Sequence, residues 1–438
     1  MLQEYLASNL KTMTRKLIIV IILLTGSLLS QAQLKGIFNK VKNKTEQAVD
    51  KKVDSEIDKA FDKPESKKTE TETDAIAPKE TVSIPEEDNS IKAFSKFDFI
   101  PGDSILYVED FQQDEIGELP VNWNTTGSGE VSTLDKYPGK WLRLHKSVIY
   151  LSGNQKKFTE NYTVEFDVIL QLKNNGWMYP EFRIGLFNSK DEPANGNNFL
   201  RDYKKNAAAI ATIYPGEGGS SRVRLMSYHE SSTYFGSDAK AFEALDKSYG
   251  KPVHVAIQVQ KERFRMWINE TKVFDVPKGV PPGEIMNQLL FEVGSTNYPE
   301  DKYAIFINNI KAATGRPDTR HKLVEEGKFS TTGILFDFQS AVIKPESYAV
   351  VKEIAGVLKD NGSIKIKILG HTSSDGDDKA NMELSKKRAA AVKDLLVSEF
   401  SIDASRLETE GKGETQPIAD NKTKEGKMAN RRVEFIKL

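Results

Sequence analysis

Between residues 97 and 313 apolar and polar positions alternate with a period of two, the spacing of a strand with one buried face. Val253, Val255, Ile257 and Val259 alternate with His254, Ala256, Gln258 and Gln260. Phe264, Met266 and Ile268 alternate with Arg263, Arg265, Trp267 and Asn269. Tyr162, Val164, Phe166, Val168 and Leu170 repeat the pattern upstream. Many such runs, split by Gly, Asn, Pro and Asp turns, predict an all-β sandwich of two antiparallel sheets over residues 96–314. Beyond it the pattern changes. Residues 333–338 read as a short strand. Val350, Val351, Ile354, Ala355 and Leu358 form one helical stripe, started near Pro345 and Glu346. Ile364, Ile366 and Ile368 alternate with Lys365 and Lys367 in a strand ending at Gly370. A second helix is expected from Asp378 to Phe400, and further strands over 407–411 and 432–438. The order β-α-β-α-β-β predicts an α+β domain over residues 329–438, with helices on one sheet face. The fold class is therefore multidomain, a β-sandwich followed by an α+β domain.

The N-terminal part carries different patterns. Residues 17–29 are an apolar run too short to span a bilayer comfortably. Arg15 and Lys16 precede it, and Ser30, Gln31 and Ala32 follow. This order of charged, apolar and small residues predicts a signal peptide over residues 1–32, with Met13 the more ordinary start. The other reading is an uncleaved anchor. Val41, Val49, Val53, Ile57 and Phe61 recur at multiples of four and predict an amphipathic helix within residues 33–61. It pairs with a copy of itself, lies on a membrane surface or stands solvated. Residues 62–95 turn to Lys, Glu, Thr, Ser and Pro and predict a disordered linker.

Composition removes several chemistries. The 438 residues hold 62 Lys+Arg against 63 Asp+Glu, a net charge of −1, which argues against a nucleic-acid partner held by bulk charge. Cysteine is absent, which excludes disulfides, thiol nucleophiles, Cys-ligated metals and a lipidated N-terminal Cys. The five histidines (His145, His229, His254, His321, His371) are scattered, and no metal-binding helix motif occurs, so no metal site and no cofactor are expected.

The start of the sandwich, Glu109-Asp110-Phe111 through Leu119-Pro120-Val121-Asn122-Trp123, resembles the opening strand of concanavalin-A-like (laminin-G-like) jelly rolls. Residues 303–310 resemble their closing strand, which pairs near the first, and residues 266–274 one of their central hairpins. The resemblance implies a jelly roll with a glycan or protein ligand. Glu165 and Asp167 lie two apart on one strand face. A glycoside hydrolase family of this fold carries E-x-D-x-x-E there, but Leu170 fills the third position, so the second catalytic carboxylate is missing. The pair then reads as a polar outer strand face, and no enzymatic activity is expected. Trp267 with Arg263 and Arg265 either stacks on a sugar or is an exposed or half-covered surface tryptophan.

The second helix of the C-terminal domain contains an oddity. Leu384, Val392 and Leu395 mark its apolar stripe, and Arg388 falls on that stripe, with Asn381 one turn above Leu384. A core-facing guanidinium is costly unless an anion meets it, and its planar fork suits a carboxylate. The polar loop from His371 to Gly376 is placed to close over the same spot. An internal Arg388–Asp375 ion pair without ligand satisfies the same pattern.

At these residues a family resemblance appears. Leu335-Phe336-Asp337-Phe338, Gly370-His371-Thr372, Asn381-x-x-Leu384-Ser385-x-x-Arg388-Ala389, Gly411-Lys412-Gly413-Glu414 with Pro417, and Asn430-Arg431-Arg432-Val433-Glu434 resemble successive motifs of the OmpA-like C-terminal domain. That is the peptidoglycan-binding module of Gram-negative envelope proteins, and chains with this domain order look like those of the Bacteroidota. The resemblance implies that Arg388 grips a diaminopimelate carboxylate of the peptide stem. The family's turn aspartate, which takes the ammonium group, is Ser373 here. Asp375, two residues later, is the candidate to supply that charge. Thr372, Asn381 and Arg432 occupy further family positions, although Arg432 also reads as an exposed strand residue. The implied protein is an exported, non-enzymatic envelope protein at the periplasmic face of the outer membrane. The rival reading is a glycan-binding, adhesion or envelope-assembly protein whose C-terminal domain binds protein partners rather than peptidoglycan.

The signal-peptide reading has a direct test. N-terminal sequencing of mature protein from the envelope should begin at Gln33. Mature protein that retains residues 17–29 would identify that segment as an anchor.

Overall fold

The computed structural model describes residues 97–438 apart from 155–157, 175, 191, 316 and 317. The signal peptide, amphipathic helix and linker expected over residues 1–95 lie outside the described residues. The described residues all belong to one compact unit.

Two eight-stranded sheets face each other, as the alternation predicts. The first runs Thr271–Val276, Arg263–Ile268, Pro252–Gln260, Asn161–Leu172, Tyr303–Thr314, Lys140–Leu144 and Gly129–Thr133, with Ser104–Glu109 also paired to Tyr303–Thr314. The first and last strands of the sandwich are therefore neighbours. The second runs Ser232–Gly236, Arg222–His229, Ala207–Tyr214, Phe182–Phe187, Gln288–Val293, Val148–Leu151 and Asn124–Thr125, with Lys240–Ala241 beside Arg222–His229. Val164, Phe166, Val168, Val255, Ile257 and Met266 meet Ile184, Leu186, Leu225 and Phe291 between the sheets. A short helix, α1 (Asn197–Asp202), buries Phe199 and Leu200 against Phe187, Leu151 and Ile210.

In Tyr303–Thr314 the alternation of Tyr303, Ile305 and Ile307 resumes at Ile310 and Ala312, because a bulge inserts Asn309 with φ +54°. The extra residue puts Lys311 opposite Glu165 on the outward face of the sheet.

That outward face is covered, and two expectations change. Trp267 is 1% exposed. Phe97 and Phe99 lie over its ring at 6.4 and 5.2 Å, Ala349 of the C-terminal domain packs in the same cluster, and its Nε1 donates to Asp98 Oδ1 at 2.9 Å. Neither a sugar platform nor a surface tryptophan describes it. Glu165 and Asp167 are likewise buried rather than on an open polar face. His254 Nδ1 bonds Asp167 Oδ1 at 2.8 Å, Lys311 Nζ meets Glu165 Oε2 at 2.6 Å, and Asn309 donates to Asp167. Burial alone would lower the His254 pKa, but bonds to Asp167 and Glu165 raise it to about 10, so the imidazolium persists and the charges neutralise one another. Lys344 of the C-terminal domain approaches Asp167 at 3.8 Å.

The C-terminal domain has a four-stranded sheet ordered Lys328–Thr331, Val433–Lys437, Ile366–His371 and Leu407–Gly413. After α2 (Thr319–Val324), helix α3 (Tyr348–Asp360) buries Val350, Val351, Ile354, Ala355 and Leu358, the predicted stripe. Helix α4 (Asp378–Ser398) starts at a cap in which Asp377 accepts from the Ala380 amide. A short helix, α5 (Lys424–Asn430), precedes the last strand and was not expected. The first strand lies at Lys328–Thr331, not at 333–338. The latter segment folds back on itself: Lys344 donates to the Leu335 carbonyl, Asp337 to that of Val342, and Phe336 bridges Ile343. Its backbone groups are satisfied locally, so it forms a loop rather than a ladder.

The two domains meet through opposite charges. Lys424 of α5 bonds Glu109 and reaches Asp114 at 3.0 Å, Arg431 lies 3.8 Å from Asp110, and Lys322 bonds Asp103 at 2.7 Å.

Because Trp267 is the apolar centre of this junction, Trp267→Ala should lower stability by about 3–5 kcal/mol in urea unfolding. A loss under about 0.5 kcal/mol, the value for a surface side chain, would show that the junction does not cover it.

Candidate functional site

The site starts with how closely α4 lies on the sheet. A Cβ at Gly370 would stand 2.1 Å from the Ser385 carbonyl oxygen, and one at Gly411 would stand 2.6 Å from Ser385 Oγ and the Lys386 amide. Only glycine permits this approach of strand to helix backbone. It turns Asn381, Ser385, Ala389, Val392 and Leu396 inward as the buried stripe. Of the predicted face, Asn381 and Val392 do point inward, while Leu384, Arg388 and Leu395 give way to the next residue along, Ser385, Ala389 and Leu396. Small inward residues are what so short a gap admits, and Arg388 stands half-buried at the stripe's edge.

Arg388 is held from one side. Its Nε donates to the Ser340 carbonyl at 2.9 Å, and its guanidinium lies 4.8 Å from the Phe336 ring centre. The folded-back loop at 333–344 therefore serves as its seat. Among the described residues no carboxylate pairs with it, and Nη1 and Nη2 have no hydrogen-bond partner. Burial, with the nearby charge of Arg431, pulls its pKa down to about 10, so it remains a cation at neutral pH. The internal Arg388–Asp375 ion pair does not form: Asp375 bonds Lys427 Nζ at 2.6 Å and lies 3.8 Å from Arg431.

The loop between the Ile366–His371 strand and α4 is tied to the same helix. The Asn381 amide donates to the carbonyls of Ser373 (3.3 Å) and Asp375 (3.1 Å) and to Glu414 Oε2 (2.6 Å). Ser373 is buried, with its hydroxyl on Asp375 Oδ2 at 3.0 Å. Burial would raise the Asp375 pKa, but bonds from Lys427 and Ser373 hold it below the usual carboxylate range. Thr372 donates its amide to the Gly413 carbonyl, and its buried Oγ1 has no partner.

Arg432 is neither exposed nor beside this loop as a free cation. It is 4% exposed, and Nε and Nη2 grip Glu434 Oε1 at 2.8 and 2.5 Å while Nη2 also donates to the Gln416 carbonyl. Lys328 reaches the other Glu434 oxygen at 3.0 Å. This buried pair fastens the last strand. Asn430 does similar work, accepting from the Ile418 and Ala419 amides.

Sequence reasoning missed Phe336 and Ser340 as the seat of Arg388, and Lys427 and Arg431 as the partners of Asp375. The spacing of Lys424, Lys427 and Arg431 by three and four was a legible signal for one basic helix face.

Residues 335–431 match the OmpA family. Over 101 residues the chain is 44% identical to outer membrane porin F of Pseudomonas aeruginosa, covering 23% of this chain and 29% of that protein. Over 100 residues it is 46% identical to outer membrane protein A of Bordetella avium, covering 23% of this chain and 51% of the relative. The chain thus spans less than a third of the first relative and about half of the second. Among solved structures, the peptidoglycan-associated lipoprotein of Burkholderia pseudomallei is 28% identical, covering 25% of this chain and 89% of that one, with a TM-score of 0.23. The C-terminal domain is an OmpA family domain, and the family match lies wholly within it.

The strand end at this site has a pH signature. Burial and then the charge of Arg432 pull the His371 pKa from 6.5 down to about 4. The folded state keeps this imidazole neutral while the unfolded chain protonates below 6.5. Its contribution to stability is therefore complete above that pH and lost as pH falls toward 4. His371→Tyr should flatten the fall in urea midpoint of the C-terminal transition between pH 7 and pH 4.5. An unchanged slope would mean His371 does not set it.

Proposed function

We propose that this chain is an exported, non-enzymatic protein of the cell envelope, anchored to peptidoglycan by its C-terminal domain through the diaminopimelate peptide stem. The observation that carries this is the half-buried Arg388, whose Nη1 and Nη2 lack any partner among the described residues while Phe336 and Ser340 fix the rest of the group. A rigid, desolvated guanidinium fork is a seat for a carboxylate. The OmpA family match and the names of the relatives, outer membrane porin F and outer membrane protein A, support a place in the envelope. Thr372, Ser373 and Asp375 belong to the loop that Asn381 of α4 ties down, and Arg432 acts from behind by fastening the last strand. The sandwich is a binding module for a glycan or protein, displayed next to the anchor at the periplasmic face of the outer membrane. A second reading, in which the C-terminal domain assembles with proteins instead, draws on α5, which already holds carboxylates of the sandwich.

Pull-down with diaminopimelate-type sacculi tests the anchor. Arg388→Ala removes a charge-assisted pair worth roughly 2–5 kcal/mol and should abolish measurable binding. Arg388→Lys should also bind poorly, because a point charge does not replace the fork. Circular dichroism checks that both variants fold. A folded Arg388→Ala protein that sediments with sacculi as well as the parent would overturn the anchor and favour protein assembly.

A further inference from the structure

Diaminopimelate presents an ammonium as well as carboxylates, and position 373, a serine, offers no charge to receive it. Two carboxylates stand by the loop. Asp375 is already neutralised, by Lys427 at 2.6 Å and Arg431 at 3.8 Å, with the Ser373 hydroxyl on its second oxygen. An arriving ammonium would meet two cations there. Glu414 differs. Its Oε2 accepts from the neutral Asn381 amide at 2.6 Å, and among the described residues no cation lies within ion-pair reach of it.

Glu414 is also fixed in place. It follows Gly413, whose φ is +51° and whose Cβ would stand 3.1 Å from the Met382 amide. The Gly413 amide donates to Ser385 Oγ, and its carbonyl accepts from Thr372. The turn that carries Glu414 is thus clamped to both α4 and the 371–376 loop, and the Asn381 amide joins Glu414 to the Ser373 carbonyl. Asn381 and Arg388 are two turns apart, roughly 10 Å along the helix. A residue with amino-acid centres at both ends of a three-methylene chain bridges such a separation.

We propose that Glu414 is a specificity-determining residue of this site, receiving the free ammonium of the stem in place of the carboxylate missing at position 373. This rests on the wall-binding reading. Arg388 would then supply grip, and Glu414 would select stems whose side-chain amine is free over those whose amine is acylated by cross-linking.

The test uses the full mature chain and two probes, a diaminopimelate-containing tripeptide with its side-chain amine free and the same tripeptide acetylated there. The parent should bind the free-amine probe roughly tenfold more tightly or better. Glu414→Gln keeps an oxygen for Asn381, and should bind both probes alike. Glu414→Gln should keep the parent's affinity for the acetylated probe, an outcome a merely structural role for Glu414 does not produce, and adding Ser373→Asp to it should restore the preference. A preference kept by Glu414→Gln, or absent from a parent that binds both probes, overturns the inference and leaves the anchor standing. Binding of neither probe by the parent overturns the wall-binding reading, and this inference with it.

Discussion

The near-contact of helix α4 with the strands beneath it is the constraint on which the C-terminal domain depends. Glycines at 370 and 411 let the Ser385 backbone and side chain reach the sheet. That contact fixes the rotation of α4. Rotation puts Asn381 inward against the loop and leaves Arg388 at the edge, where the 333–344 loop can hold one side of it. A side chain at Gly370 would push the helix out and move both groups together. The glycines thus set the geometry of the site through the helix they admit. Glu434 acts at the same remove, since losing it would leave the Arg432 charge buried and unpaired beside His371.

Charge also joins the two domains. Acidic groups of the sandwich (Asp103, Glu109, Asp110, Asp114 and Asp167) face Lys322, Lys424, Arg431 and Lys344 of the C-terminal domain. Aromatic packing around Trp267 supplies the apolar part of that junction. The sheet face that carries Glu165, Asp167 and Trp267 is consequently an interface within the chain. Arg431 belongs to both systems, lying 3.8 Å from Asp110 of the sandwich and from Asp375 of the loop.

Periodicity made the sheets legible, because each strand there has one face in the core, and the inward sets at 162–170, 253–259 and 264–268 lie as alternation places them. It failed where a second layer covers the outer face. Trp267, Glu165 and Asp167 look alike in sequence whether solvent or another domain lies above them. Helix α3 was legible from its stripe, whereas α4 was read correctly at Asn381 and Val392 and one position early at Leu384, Arg388 and Leu395. Its inward residues are small and partly polar, and only the glycines of the neighbouring strands explain why. Arg388 was legible as a misplaced cation, but its seat was not, since Phe336 and Ser340 reach it through a loop whose residues alternate like a strand. The emptiness of the guanidinium fork depends on which carboxylates are already occupied, and Lys427 of α5 and Arg431 just after it decide that for Asp375.

The central claim is that the guanidinium of Arg388 receives an anion of the wall. The most direct measurement is the ¹⁵N resonance of its Nε–H during titration of the full chain with a diaminopimelate-containing stem peptide. A saturable shift of that resonance, accompanied by the amides of Thr372 to Gly376, is the predicted result. Saturable binding that leaves Arg388 unmoved and shifts only sandwich residues would contradict the account.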